Sequence, residues 1–267
     1  MNIQSVKLAC FSPTGTTRSV LQAMGRGIAC PRVELVDITS PSARERPLQA
    51  SENELLVVGV PVYMGRVPAL LSDWLHSIEA RGTPVVCVVV YGNRVFDDAL
   101  LELKDMLTAR GCIPIAGAAF IGEHAFSSAE IPVAEHRPDA SDLNQAEVFG
   151  RHVRERLGSL ASLDRQAQLP LPGVVPYRGI TRLWDVDFIE VGAACIQCGI
   201  CAASCPMGAI DPDCSRRIDI AKCITCCACI KNCPQGARTK KSGPVLDAAR
   251  RLNRLYSVRK EPEFFLS

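Results

Sequence analysis

Short apolar runs alternate with stretches of helical periodicity through the first 160 residues. Val6 to Phe11 is one such run, ended by Ser12-Pro13-Thr14-Gly15-Thr16-Thr17, and the next segment places Val20, Leu21, Met24 and Ile28 on one helical face. Val33 to Ile38 alternates as a half-buried edge strand does, whereas Glu54 to Val60 reads as a strand buried on both faces and stops at Pro61. Pro68 to Ile78 predicts a helix with proline in its first turn. Val85 to Val90 predicts a fourth strand, stopped by Tyr91-Gly92-Asn93. A helix over Phe96 to Ala109, a fifth strand over Ile113 to Ile121 and a last helix over about Ser141 to Leu157 complete the series. Five buried strands alternating with helices predict an α/β fold with a doubly wound parallel sheet. A ligand crevice in such a sheet lies beyond the carboxyl ends of the strands, at the loops after strands one, three and four.

The pattern breaks near Leu169. Leu169-Pro170-Leu171-Pro172-Gly173-Val174-Val175-Pro176 reads as a semi-rigid connector. Cysteines dominate residues 188 to 238. The stretch from Arg238 to Lys260 then carries eight basic residues and only Asp247 as an acid. A helix over Val245 to Tyr256 would turn Leu246, Ala249, Leu252 and Leu255 to one side.

Charge and length narrow the class. A net charge of +2 with mixed signs points neither to nucleic acid nor to an anionic membrane surface. No run of apolar residues is long enough to span a bilayer, and the start of the chain lacks the pattern of an export signal, so a cytoplasmic location is expected. Fourteen cysteines in such a chain suggest metal ligands rather than disulfides. Cys10, Cys30, Cys87 and Cys112 are scattered among apolar neighbours, while the other ten lie between Cys195 and Cys233.

Cys195-x2-Cys198-x2-Cys201-x3-Cys205-Pro206 is followed by Cys223-x2-Cys226-x2-Cys229-x3-Cys233-Pro234, an internal repeat offset by 28 residues. Both copies continue into Gly-Ala, at Gly208-Ala209 and Gly236-Ala237. Three cysteines at this spacing embrace three corners of a four-iron cubane, and the cysteine before proline ligates the other cluster. The expected ligand sets are crossed: Cys195, Cys198, Cys201 and Cys233 for cluster one, and Cys223, Cys226, Cys229 and Cys205 for cluster two. Zinc sites, the competing reading, show paired ligands split by a longer spacer. Cys214 and Cys227 read as non-ligating thiols. These fifty or so residues resemble the bacterial-type two-cluster ferredoxins, and the resemblance implies a small α+β domain carrying two [4Fe-4S] clusters that pass single electrons.

Ser12, Thr14, Gly15, Thr16 and Thr17 join the first strand to the first helix. Hydroxyls and a glycine at a helix N-terminus suit a phosphate, and the absence of lysine and of P-loop spacing disfavours a nucleoside triphosphate. A plain helix cap would use the same residue types, and the loop alone leaves both readings open. The neighbouring loops favour a flavin. Pro61, Val62, Tyr63, Met64 and Gly65 follow strand three, and Tyr91, Gly92, Asn93 and Arg94 follow strand four, each offering an aromatic residue and a glycine at the crevice. With these loops the first 150 residues resemble the flavodoxins, which implies strand order 2-1-3-4-5 and FMN. The whole chain resembles the fused flavodoxin–ferredoxin proteins of anaerobic bacteria and archaea, a likeness strengthened by Tyr91-Gly92-Asn93-Arg94 and by Arg259-Lys260-Glu261-Pro262-Glu263.

The expected organisation is a flavodoxin-like FMN domain (1–160), a proline-rich linker (161–187), a two-cluster domain (188–240) and a basic helix with tail (241–267). An electron-transfer protein of anaerobic metabolism with a redox-protein partner is the leading expectation, since FMN accepts two electrons stepwise and each cubane passes one. The alternative is an FMN-dependent reductase of a quinone or unsaturated compound, motivated by Arg66 and Arg94 beside the flavin loops. A third reading makes the clusters a redox sensor, with the basic helix binding an acidic partner. His124, in Gly122-Glu123-His124 after strand five, falls near the crevice and is expected to be an ordinary loop histidine rather than a proton donor to the flavin. Gly25-Arg26-Gly27 ends a helix rather than following a strand, so it is no dinucleotide fingerprint.

Overall fold

The continuous apolar runs become strands buried on both faces. The computed structural model describes residues 3–159, 169–180 and 185–266. Strands β1 (Ser5–Cys10), β2 (Val33–Asp37), β3 (Glu54–Pro61), β4 (Thr83–Tyr91) and β5 (Cys112–Ile121) are mutually parallel in the order 2-1-3-4-5. Every residue of β4 and β5 is buried, as their unbroken apolar sequences require. By contrast β2 lies at an edge and leaves Val33 and Leu35 exposed.

Helices cover both faces. α1 (Thr16–Ile28) and α4 (Ala140–Ser159) pack on one side through Val20, Leu21, Met24, Phe149 and Val153. They approach backbone to backbone, because a Cβ on Gly27 would stand 1.9 Å from the Glu147 carbonyl oxygen and one on Gly150 would stand 2.2 Å from that of Met24. α2 (Ser72–His76) and α3 (Ala99–Ala109) cover the other face through Trp74, Leu75, Leu100 and Leu103. The helix expected over Pro68 to Ile78 is shorter, beginning as a 3₁₀ turn at Ala69–Leu71.

Described residues of the C-terminal half touch the first module at several points. Of the expected linker, 161–168 and 181–184 lie outside the described residues. The carboxylate of Asp98, at the start of α3, accepts hydrogen bonds from the Val174 backbone (3.1 Å) and from Nη2 of Arg178 (2.8 Å). Beyond it, β6 (Ile189–Val191) pairs antiparallel with β7 (Arg238–Lys240), and the turns α5 (Ile200–Ala203) and α6 (Ala228–Lys231) follow the first cysteines of each run. Helix α7 (Pro244–Leu255) buries Val245, Ala248 and Ala249, while Leu255 is exposed. Its packed stripe is therefore rotated from the one that Leu246 and Leu255 suggested.

One expectation is corrected outright. The sheet has six strands, because β8 (Glu263–Leu266) returns to pair antiparallel with the β5 edge, Phe265 opposite Gly117. The physical reason is an edge with unpaired N–H and C=O groups, bordered by aromatic surface. The Phe264 ring stacks on Phe149 at 4.8 Å and meets Phe120 edge-on at 5.5 Å.

The returning segment is clamped by ion pairs. Arg137 is buried, places its guanidinium fork on the fully buried Asp142 carboxylate, and donates to the Lys260 carbonyl at 3.1 Å. Arg259 reaches Asp139 at 2.7 Å. Removing one partner of a buried pair leaves an uncompensated charge, so Arg137→Met should lower the unfolding free energy by about 3 kcal/mol in urea. The exposed pair Arg26–Glu147 is the control, and Arg26→Met should change it by less than about 1 kcal/mol. Equal effects of the two substitutions would remove the clamp.

Candidate functional site

The loop after β1 turns tightly into α1. The Ser12 backbone N–H donates to Thr39 Oγ1 at 2.9 Å, and Ser12 Oγ accepts from the Arg18 backbone N–H at 3.0 Å. Gly15 has φ +87° and open space where a Cβ would point, so the chain there is free to approach a ligand. Thr17 Oγ1 is buried and has no hydrogen-bond partner. An unsatisfied hydroxyl at a helix N-terminus is the arrangement an anionic ligand would complete.

The loop after β3 is a two-residue turn. Tyr63 and Arg66 exchange both backbone hydrogen bonds at 3.0 Å around Met64 (φ +53°) and Gly65 (φ +84°). Gly92, after β4, permits a further close approach, since a Cβ there would stand 2.3 Å from Cδ2 of His124.

These loops line a crevice at the carboxyl ends of the strands. Ser12, Thr14, Thr16 and Thr17 line it, together with Pro61, Val62, Tyr63, Met64, Tyr91 and Gly92. Four other expected residues are not brought into its wall. Gly15 borders a neighbouring polar cavity, and Gly65 packs against Asp97. Asn93 directs its amide to the carbonyls of Tyr256 (2.6 Å) and Val258 (2.9 Å), and Arg94 pairs with Asp97. The Tyr91 ring meets Phe96 at 5.6 Å within the core. Arg66 is bound in a fork to Glu102, at 2.9 and 2.7 Å, under the Tyr177 ring.

Two parts of the wall lie outside the three loops expected to form the site, although His124 is expected near it. The loop after β5 supplies Gly122, Glu123, His124, Ala125 and Phe126, a segment that follows a buried strand directly and carries an aromatic residue and a glycine. The other part is Ile224, Thr225 and Cys226, from the second cysteine run. No local signal marks it, because it reaches the crevice only through the fold. Lys231 pairs with Glu123, and Asn232 Nδ2 donates to the Pro13 carbonyl at 3.3 Å, holding that run against the loops.

His124 is therefore a wall residue rather than a plain loop residue. Its Nδ1 accepts from the Phe126 backbone N–H at 3.0 Å, so the neutral ring carries its proton on Nε2. Burial, then the charges of Lys231, Lys240 and Arg94, push its pKa down to about 4.

The cysteines divide between two further cavities. Cys195, Cys198, Cys201 and Cys233 border one. Cys205, Cys223, Cys226 and Cys229 border the other, where Cys227 also lies. Each fourth cysteine sits with the three of the other run. Among the described residues no group of three His, Cys, Asp or Glu side chains converges as a single metal ion would require. Ile224 and Cys226 line both the second cysteine cavity and the crevice.

The depressed value of His124 has a thermodynamic consequence. Its folded pKa lies below the unfolded value of 6.5, so the stability it confers is complete above pH 6.5 and is lost as pH falls from there toward 4. Replacing it with phenylalanine should flatten the stability profile between pH 7 and 4.5, by about 1–3 kcal/mol relative to the native chain. Parallel urea profiles for His124→Phe and the native protein would show that the histidine is not held neutral.

Comparison with known proteins bears on both halves. Residues 194–238 match the model of the 4Fe-4S dicluster domain. No curated protein matches the chain. A flavodoxin from the domain Archaea matches with 14% identity, over 58% of this chain and 98% of its own, at a TM-score of 0.40. A short-chain flavodoxin associated with a non-canonical PDU bacterial microcompartment gives 16%, 61%, 100% and 0.39. An NADH:FMN oxidoreductase in its apo form gives 18%, 56%, 89% and 0.39. It is the parallel strand order 2-1-3-4-5 that identifies the sheet as flavodoxin-like. Among the described residues no helix is long and apolar enough to cross a membrane. The chain joins a flavodoxin-like α/β module to a 4Fe-4S dicluster domain.

Proposed function

We propose that this protein is an electron carrier in which FMN in the crevice works with two [4Fe-4S] clusters, one on each crossed cysteine set. The observation that carries this reading is the shared wall: Ile224 and Cys226 face the crevice on one side and the second cysteine cavity on the other. Bound FMN would supply stepwise two-electron chemistry, and the clusters one-electron transfer.

The residues present fit those groups. Thr17 Oγ1 and the N-terminus of α1 would hold the flavin phosphate. Tyr63, Met64, His124 and Phe126 would enclose its ring system and exclude water. Gly92 keeps the backbone low enough for His124 to lie in the wall. Around the second cysteine set, Ile189, Ile210 and Ile218 provide an apolar surround. A redox protein of complementary charge is the proposed partner, and anaerobic metabolism the proposed setting.

Reduction of a small molecule at the flavin is disfavoured by a specific finding. The two arginines that would have recognised such a substrate are engaged elsewhere, Arg66 with Glu102 and Arg94 with Asp97.

Anaerobic reconstitution with iron, sulfide and FMN should give about eight irons and one FMN per chain. Four irons, or a chain that retains no flavin, would sink the proposal. Thr17→Val should weaken FMN binding about tenfold, the loss of one hydrogen bond to a charged acceptor, and leave riboflavin binding unchanged. Equal weakening of both ligands would place the phosphate elsewhere.

A further inference from the structure

The two cysteine cavities are related by the internal repeat, yet their walls differ at one matched position. With the 28-residue offset, Arg238 corresponds to Ile210, since each follows the Gly-Ala that closes its copy. Ile210 is buried and lines the cavity of Cys205, Cys223, Cys226 and Cys229. Arg238 is also buried, 3% exposed, and lines the cavity of Cys195, Cys198, Cys201 and Cys233.

The charge of Arg238 is not neutralised by a carboxylate. Among the described residues no ion pair involves it, and its Nη2 donates to the backbone carbonyl of Ser215. Its Nη1 has no hydrogen-bond partner, and neither has Ser215 Oγ, which is buried beside it in the same wall. A buried cation and a buried hydroxyl, both unsatisfied and both at one cavity, need an anionic acceptor to repay their desolvation. A cubane on four thiolates is such an acceptor. Its reduction adds one electron and one negative charge, and forms no bond.

We infer that Arg238 and Ser215 set the redox asymmetry of the protein, holding the added electron on cluster one in preference to cluster two. This rests on the two-cluster reading above. The physical basis is that cluster potential follows local charge, hydrogen bonds to sulfur and solvent exposure. Charge and exposure favour the first cluster, because the unpaired Arg238 guanidinium lines its cavity and Cys198 is exposed while the second cavity is walled by isoleucines; they outweigh the Ala209 N–H bond to Cys205 Sγ (3.3 Å) in the second set. Cluster two borders the crevice, so the gradient runs away from the flavin. Transfer along it oxidises cluster two by one electron and reduces cluster one by one. The charge of Arg238 also reaches Cys229 of the other set, so both potentials respond to it. Because Arg238 lines the first cavity and not the second, the larger response is assigned to the first.

The test is an EPR-monitored redox titration of the full chain carrying eight irons, with cluster one identified as the signal lost in Cys198→Ser. The native protein should reduce cluster one first. Arg238→Met and Arg238→Gln should each lower its reduction equilibrium at least tenfold, about 59 mV for a one-electron couple. Cluster two should move by less than a third as much. Ser215→Ala should lower cluster one about threefold, and Arg238→Lys should recover most of the native value. Unmoved potentials in Arg238→Met or Arg238→Gln, or equal shifts in both clusters, would overturn the inference. So would loss of cluster-one iron in both, since the residue would then be structural. Fewer than eight irons in the native chain is a separate outcome, which removes the cluster reading itself.

Discussion

The described part of the connector, residues 169–180, is held to the first module at one buried carboxylate. Asp98 has no exposed side-chain surface, and it accepts hydrogen bonds from the backbone of Val174 and Arg178 and from the Arg178 guanidinium. The side-chain bonds of Arg178 and the two backbone N–H groups hold its carboxyl well below the usual range. An ionised, fully coordinated carboxylate in that place is directional in a way that apolar packing is not. Gly173 lies against Leu101 and Gly179 against the Met64 carbonyl, so the connector is pressed onto α3 and onto the turn that walls the crevice. The cysteine module is thereby delivered to the carboxyl ends of the strands.

Arginine illustrates how little residue type says without geometry. Arg66 and Arg94 stand beside the crevice in sequence, yet each is committed to a carboxylate of its own module. Arg137 is buried with a fully buried partner and clamps the returning chain. Among the described residues, Arg238 is buried without an acidic partner. The first three are architecture. Only the last leaves a charge unanswered, and it does so at a cavity bounded by cysteines.

What could be read from the chain divides along local and non-local lines. The parallel strands were legible because burial on both faces demands unbroken apolar runs, and the grouping of the cysteines at two cavities because their spacing repeats with its own punctuation. The loop after β1 was legible as part of the crevice, since its hydroxyls and glycine precede a helix directly. Hidden were the features that depend on distant partners. Glu263–Leu266 is too short and too exposed to signal a strand, and becomes one only against the β5 edge. Tyr91 carried the right chemistry but turns its ring into the core. Ile224 to Cys226 belongs by sequence to the cysteine run, and only the contacts of Lys231 and Asn232 with the first module make it part of the crevice.

That shared wall means neither compartment can be altered alone. A ligand that fits the crevice rests against the backbone that positions Cys226, and whatever orders that run also completes the crevice. Such coupling is reciprocal by thermodynamic necessity: the factor by which one occupant tightens the other is the same in both directions. On the two-cofactor reading proposed above, whatever displaces Ile224 to Cys226 on the cysteine side would also open the wall of the crevice.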